Sequence, residues 1–316
     1  MFARSRLLVA ITACAAAGAM TLTGCGSSGG STGAGTGSIP AGAGSTPAGA
    51  ATGSSASGQS AADLVPAAVK SKGTLVIASD ASYPPMEFFK PGTKSPVIGM
   101  DADLGAALGK ALGLNVEIRN VTFDAIIPGL ADGKYDIGLS SFTDTKEREK
   151  TVDFVTYYNA GESFYIKSDN SKSYNGLDSL CGAKVAVENG TTEQSDAQSQ
   201  SKKCAAEGKP KVDVLQFADQ SGANLAVANG RADVGFADSP PVDYIVQSSN
   251  GQFKNTGQPF GLAPYGIALP KGNGMAKAVQ AALEQLISDG SYASMLKKWN
   301  LAEGAITAPE INGAKS

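Results

Sequence analysis

The chain has 316 residues, with 26 Lys+Arg against 29 Asp+Glu and no histidine. The missing imidazole excludes Ser-His-Asp and Cys-His catalysis and any His-containing zinc site, and a net charge of −3 offers no basic surface for nucleic acid. Hydrophobic residues at 42% suffice for one large core or two modest ones.

Arg4 and Arg6 precede Leu7–Met20, an uncharged and mostly apolar run of 14 residues that is short for a bilayer span. Leu22-Thr23-Gly24-Cys25 follows and resembles a bacterial lipobox, in which the signal is cut before the cysteine and that cysteine is acylated. Residues 1–24 are therefore expected to be a lipoprotein signal peptide. Cys25 is expected to carry palmitate-type lipid and to hold an extracytoplasmic protein at the outer face of the cell membrane. The plainer alternative is an ordinary signal peptide with an incidental cysteine. Cys14 leaves with the signal, so Cys181 and Cys204 remain as an even pair in an oxidising setting and are predicted to form a disulfide. Without further Cys or His, no metal site is expected.

Residues 26–60 are almost wholly Gly, Ser, Ala and Thr, which predicts a flexible tether with a reach of roughly 30–35 Å. Order is expected from near Gly73. Thr74–Ser79 reads as a buried strand. Asp101–Leu112 carries Leu104, Ala107, Leu108, Ala111 and Leu112 at helical spacing and stops at Gly113. Asn115–Asn120 reads as a strand, Phe123–Ala131 as a short helix and Tyr135–Leu139 as a strand. This alternation predicts parallel sheets with helices on both faces.

Leu130–Ser141 is then echoed by Val227–Asp238, 97 residues further on, and Leu75–Asp80 more weakly by residues 184–189. The echo predicts two α/β lobes of similar plan, unless one shared supersecondary habit mimics a repeat. Phe164–Lys167 and Tyr265–Pro270 are expected to cross between the lobes as a two-strand hinge. Met275–Ser288 and Ser291–Trp299 read as helices returning to the first lobe. The expected division is 61–163 and 265–300 for the first lobe, 164–264 for the second, and 301–316 as a loose tail.

Ligands of open parallel sheets bind beyond the carboxyl ends of the strands. The strand-end segments here are Asp80–Tyr83, Ser140–Arg148, Glu188–Thr192 and Asp238, which facing lobes would bring around one cleft. Their residue types suit a free amino acid. Arg148 and the backbone N–H groups of the 141–143 and 191–192 turns match a carboxylate. Asp238 and Ser141 match an ammonium group, while Tyr83 and Phe123 would clamp the side-chain stem. Ordinary readings stand beside these. Arg148 lies in the charge run 146–150, Asp238 precedes Ser-Pro-Pro as a helix cap would, Tyr83 sits in a proline turn, and Phe123 and Glu193 fit a core position and a helix N-terminus. Asp80 and Glu188 have no obvious structural job.

At these residues the sequence resembles the solute-binding proteins of polar amino acid ABC transporters, family 3. The resemblance runs from about Gly73 to Leu301. It rests on Gly99-Met-Asp-Ala-Asp-Leu104, on Tyr135–Phe154 with its Thr143…Arg148 spacing and Asp153-Phe154, on Glu188-Asn-Gly-Thr-Thr192, on Ala237-Asp238, and on Tyr265-Gly-Ile-Ala268 and Trp299. Met100 and Ala102 depart from the first signature. The resemblance implies a two-lobe, type II periplasmic-binding-protein-like α/β fold with the ligand cleft between the lobes. Arg148, with Thr143 and the Thr192 amide, would bind the α-carboxylate; Asp238 and Ser141 would take the ammonium; Tyr83 and Phe123 would flank the ligand; Asp80 and Glu188 would tune side-chain choice.

An acidic distal pocket of Asp80 and Glu188, with or without Glu193, predicts a cationic ligand such as arginine, lysine or ornithine, with glutamine or another neutral polar amino acid as the alternative. The implied partners are a permease and its ATPase subunit, the implied state is a monomer, and neither cofactor nor enzymatic activity is expected. Two further functions fit the same fold: a dehydratase-type enzyme, and a receptor that presents its ligand to a membrane sensor.

Overall fold

The computed structural model describes residues 59–315. The expected signal peptide, the lipidation site Cys25 and nearly all of the tether lie outside the described residues. Order begins earlier than Gly73. Ala61 and Val65 are buried in the first lobe's core ahead of a helix, α1 (Ala67–Lys72), which the small and polar composition did not disclose.

Each lobe is one β-α-β-α-β unit. In the first, β1 (Thr74–Ser79) leads through a small three-stranded antiparallel sheet, β2 (Ser82–Tyr83), β3 (Glu87–Phe89) and β4 (Val97–Ile98), to α2 (Met100–Leu112). β5 (Asn115–Asn120), α3 (Phe123–Ala131) and β6 (Ile137–Gly138) complete it, with β1 paired in parallel to β5 on one side and β6 on the other. In the second lobe β8 (Lys184–Glu188) stands where β1 stands, paired in parallel to β9 (Asp213–Phe217) and β10 (Val234–Asp238), with α4 (Thr192–Ala206) and α5 (Gln220–Ala228) as crossovers. The sequence echo therefore marks equivalent places: the α3–β6 joint in one lobe and the α5–β10 joint in the other.

Between them run β7 (Val152–Lys167) and β11 (Phe253–Pro270), paired antiparallel, which make the strand order β5-β1-β6-β11-β7-β10-β8-β9. The register of this pair slips three times between Thr256 and Gly266, so the ribbon bends between the lobes, as a hinge requires. The crossing strands are much longer than 164–167 and 265–270. Residues 152–163 are strand because β11 pairs with them, not because their own mixed composition demands it.

α2 buries Leu104, Leu108 and Leu112 against β1 and against α7 (Met275–Ser288) and α8 (Ser291–Trp299), closing the first lobe's larger core. The second lobe packs Val185, Val187, Phe164 and Phe236 against α4. Cys181 and Cys204 form the predicted disulfide, which ties α4 to the turn before β8. Closing a loop of that size is worth roughly 3 kcal/mol in the chain-entropy model. α6 (Ser239–Ser248) continues directly from β10.

The C-terminal segment is not a loose tail. Ile311 bridges Val155 on the open edge of β7, the Asn312 side chain accepts from the Phe154 N–H at 2.8 Å, and Ala314 donates to Glu149 at 3.2 Å. An unpaired strand edge supplied partners that no periodicity in 301–316 announces. No helix among the described residues is long and apolar enough to cross a membrane.

Candidate functional site

All nine residues singled out as ligand-binding line one cavity between the lobes: Asp80, Tyr83, Phe123, Ser141, Thr143, Arg148, Glu188, Thr192 and Asp238. Most sit where a strand ends or a helix begins, and Ser141 and Thr143 lie in the loop that follows β6. Asp80 follows β1, Glu188 ends β8 and Asp238 ends β10, while Phe123 and Thr192 open α3 and α4. The α4 start is fixed by Thr191, whose hydroxyl caps the helix by accepting from the Gln194 N–H at 3.1 Å.

Arg148 separates from its neighbours in the charge run. Lys146 pairs with Glu149 and Lys150 with Glu147 on the surface, but the Arg148 guanidinium turns into the cleft. One Nη donates to the Thr143 carbonyl at 2.7 Å and the other to the Gly190 carbonyl of the opposite lobe at 2.9 Å. Its carbon lies 5.5 and 5.4 Å from the rings of Phe123 and Phe142, which stack on each other at 4.3 Å. Two of the five N–H groups are thus used, and the guanidinium rests against the aromatic pair. Burial lowers the Arg148 pKa, but a guanidinium stays charged. The Gly190 approach needs glycine twice over: φ is +80°, and a Cβ there would come within 3.0 Å of Asp124.

Asp238 starts α6 but makes no capping bond with its side chain. Instead its Oδ2 accepts from the Tyr83 hydroxyl at 3.1 Å, and that hydroxyl accepts from the Asp238 N–H at 2.9 Å, so Tyr83 spans the cleft. The Gln220 N–H donates to the Ser82 hydroxyl at 3.0 Å, and the Phe88 and Tyr244 rings approach to 5.8 Å. The two lobes are therefore in contact around the cavity.

Ser141 holds φ +51°, a costly conformation for a residue with a Cβ. Asp101 secures it by accepting from the Ser141 N–H at 3.0 Å, while Tyr157 donates to the same carboxylate at 2.9 Å. Glu87 is the lining residue the sequence reading missed. Wedged between apolar residues in Met86-Glu-Phe-Phe89, it is almost fully buried and accepts from the Ser140 and Ser141 hydroxyls at 2.8 and 3.2 Å. An acid inside an apolar run was the only signal available.

Among the described residues, the cavity is lined by five acids, Asp80, Glu87, Glu188, Glu193 and Asp238, against one cation, Arg148. Burial is the leading cause that raises every one of these carboxyls above its ordinary range, Asp80 to about 6. One oxygen each of Glu188 and Glu193 is buried with no hydrogen-bond partner. Glu193 therefore does more than complement a helix N-terminus: it lines the cavity at 2% exposure. A concave site with a guanidinium at one pole and carboxyls around the rest can engage a small molecule that carries both a carboxylate and a positive group.

A sequence profile of the bacterial extracellular solute-binding proteins, family 3, matches residues 75–302. The arginine-binding protein ArgT of Corynebacterium glutamicum is 32% identical over 250 residues, 79% of this chain and 81% of its own. The ABC transporter glutamine-binding protein GlnH of Bacillus subtilis is 33% identical over 218 residues, 66% of this chain and 76% of its own. Among solved structures, an ancestral arginine-binding protein superposes with a TM-score of 0.65 at 36% identity, over 72% of this chain and 98% of that one. The ancestral protein is seen bound to arginine in one structure and to glutamine in another.

Proposed function

The chain belongs to the bacterial extracellular solute-binding proteins, family 3, and on that premise we propose that it captures a cationic L-amino acid and delivers it to the permease of an ABC transporter. Arginine, lysine and ornithine are the ligands it is built for. Arg148 holds the α-carboxylate with Thr143 and the Thr192 amide. Asp238 and Ser141 receive the α-ammonium, and Tyr83 and Phe123 flank the stem. Asp80 and Glu188 face the side-chain cation.

The observation that carries this reading is the charge balance of the cavity. Five buried carboxyls share one guanidinium, and a buried Glu188 oxygen has no partner. A buried carboxylate without a cation is costly, and a ligand that brings two ammonium or guanidinium groups relieves the imbalance. Calorimetric titration of the purified chain with arginine, lysine, ornithine, glutamine and glutamate tests it. The cations should bind most tightly and glutamate not at all; tight glutamate binding without arginine binding overturns the charge argument.

Glutamine is the second reading, favoured by the raised carboxyls: a protonated Glu188 donates to a side-chain amide as readily as an ionised one accepts from a guanidinium.

The protein works as a monomer tethered to the outer face of the membrane through lipid on Cys25. Cys25→Ser is accordingly expected to move the protein from the membrane fraction to the soluble fraction with its ligand affinity unchanged, as fractionation followed by titration would read.

A further inference from the structure

We propose that Asp80 and Glu188 form one carboxyl pair across the cleft that holds either a single shared proton or a single cationic ligand side chain, so that cationic and neutral amide-type amino acids occupy the same site and only the cationic ones displace a proton. The proposal rests on the amino acid-binding reading above and deepens it by naming what sets the choice of side chain.

The pair follows from the repeat. β1 and β8 hold equivalent places in the two lobes, and an acid stands at the carboxyl end of each: Asp80 directly after β1 and Glu188 as the last residue of β8. Where the lobes meet, the two side chains come within hydrogen-bonding reach of each other in the cavity. Asp80 is 5% exposed and Glu188 is 3% exposed. Asp80 is partly satisfied, since its Oδ2 accepts from the Phe123 N–H at 3.1 Å. Glu188 Oε1 is buried, lines the cavity and has no partner.

Among the described residues, the charged groups that act on the pair are acids. Asp80 and Glu188 feel Asp219 from the start of α5, Glu188 also feels Asp124 from α3, Glu87 stands near Asp80, and Tyr83 stands near Glu188. The Ser82 hydroxyl is the other polar group on Asp80. Arg148, the one cation among the described residues that line the cavity, acts on Glu193, Asp238 and Asp144 at the opposite pole.

Two carboxylates that close, in a water-poor site, do not both ionise unless a positive charge joins them. One shared proton leaves the pair with a charge of −1. A guanidinium or ammonium side chain that enters while the proton leaves to the buffer gives two carboxylates and one cation, again −1. The charge buried at this pole is the same in both states, which lets the exchange occur without a large change in desolvation. A neutral amide side chain enters with the proton retained and accepts a hydrogen bond from it.

The experiment is calorimetric titration of the purified full chain with arginine and with citrulline, its neutral isostere, from pH 5 to pH 8 in buffers of different ionisation enthalpy. The α-carboxylate and α-ammonium are common to both ligands, so the difference in protons released isolates the distal pair. Arginine is expected to release about one proton more than citrulline wherever the pair is protonated without ligand, and the ratio of arginine to citrulline affinity should there rise about tenfold per pH unit. In Glu188→Gln, and in Asp80→Asn as an independent second variant, the extra proton should vanish and the ratio should no longer depend on pH.

Equal proton counts for the two ligands in the unaltered protein, with arginine bound, would overturn the exchange while leaving the cationic reading intact. Retention of the extra proton in both variants would also overturn it, by assigning the proton to another group. Failure of arginine to bind at any of these pH values would instead overturn the cationic reading, and the exchange with it.

Discussion

Arg148→Ala is expected to weaken amino acid binding at least tenfold and up to about a hundredfold. Hydrogen bonds to a charged group are worth roughly 1.5–3 kcal/mol, and about 1.4 kcal/mol is a factor of ten. Two losses combine. The ligand carboxylate loses its planar donor inside a cavity whose other charged lining groups, among the described residues, are all acids, so the charges that remain nearby repel it. The closed arrangement also loses the bond from Arg148 to the Gly190 carbonyl, one of the few that join the lobes. Arg148→Lys separates the two effects, because it keeps the charge but not the fork that reaches Thr143 and Gly190 while facing a carboxylate. The lysine variant should recover part of the affinity. Titration with arginine reads both, and a far-ultraviolet melt confirms that the fold is retained. Unaltered affinity in the alanine variant would place the ligand carboxylate elsewhere.

The residues that line this cavity were legible because they sit where the sequence announces itself. α3 begins at Phe123 and α7 and α8 span Met275–Ser288 and Ser291–Trp299 as the periodicity predicts, and strand ends are readable once strands are placed. What stayed hidden depends on partners far away in the chain. β7 is strand over residues such as Asn159, Gly161 and Glu162 only because β11 lies alongside. The 305–315 segment is ordered only because β7 leaves an edge open in the first lobe. Glu87 needed Ser140 and Ser141, more than fifty residues away, to explain an acid in an apolar run. Periodicity reports which face of an element is buried. It does not report which polar group will be waiting on the other side.

Glu162 is the sharpest example of such hidden coupling, and Glu162→Gln is expected to stabilise the ligand-free protein, more so as pH rises. Glu162 lies on β7 opposite Asp238 in the ladder with β10 and opposite Phe260 on β11, at the bend between the lobes. It is 8% exposed, and its carboxyl is within hydrogen-bonding reach of Asp196 on α4. The charged groups that face it are Asp196, Asp238 and Glu193, all acids. Burial first, and then these neighbours, raise its pKa far above the ordinary 4.5. The folded protein therefore keeps a proton that the unfolded chain has released. Its stability is full below about pH 4.5 and declines as pH climbs from there towards the folded value.

A glutamine carries the hydrogen-bonding amide that the protonated acid imitates, donates to Asp196, and has no proton to lose. At pH 5 the variant and the parent should melt within about 3 °C of each other. At pH 8 the variant should gain on the order of 2 kcal/mol, or roughly 4–8 °C at the 2–4 °C per kcal/mol usual for domains of this size. Melts at pH 5, 6, 7 and 8 without ligand read the trend. A gain independent of pH would mean that glutamine improves packing and that Glu162 carries no trapped proton. No gain at pH 8 would mean that water or a cation already reaches the carboxyl, and the bend of β7 would then owe nothing to a neutral acid at its centre.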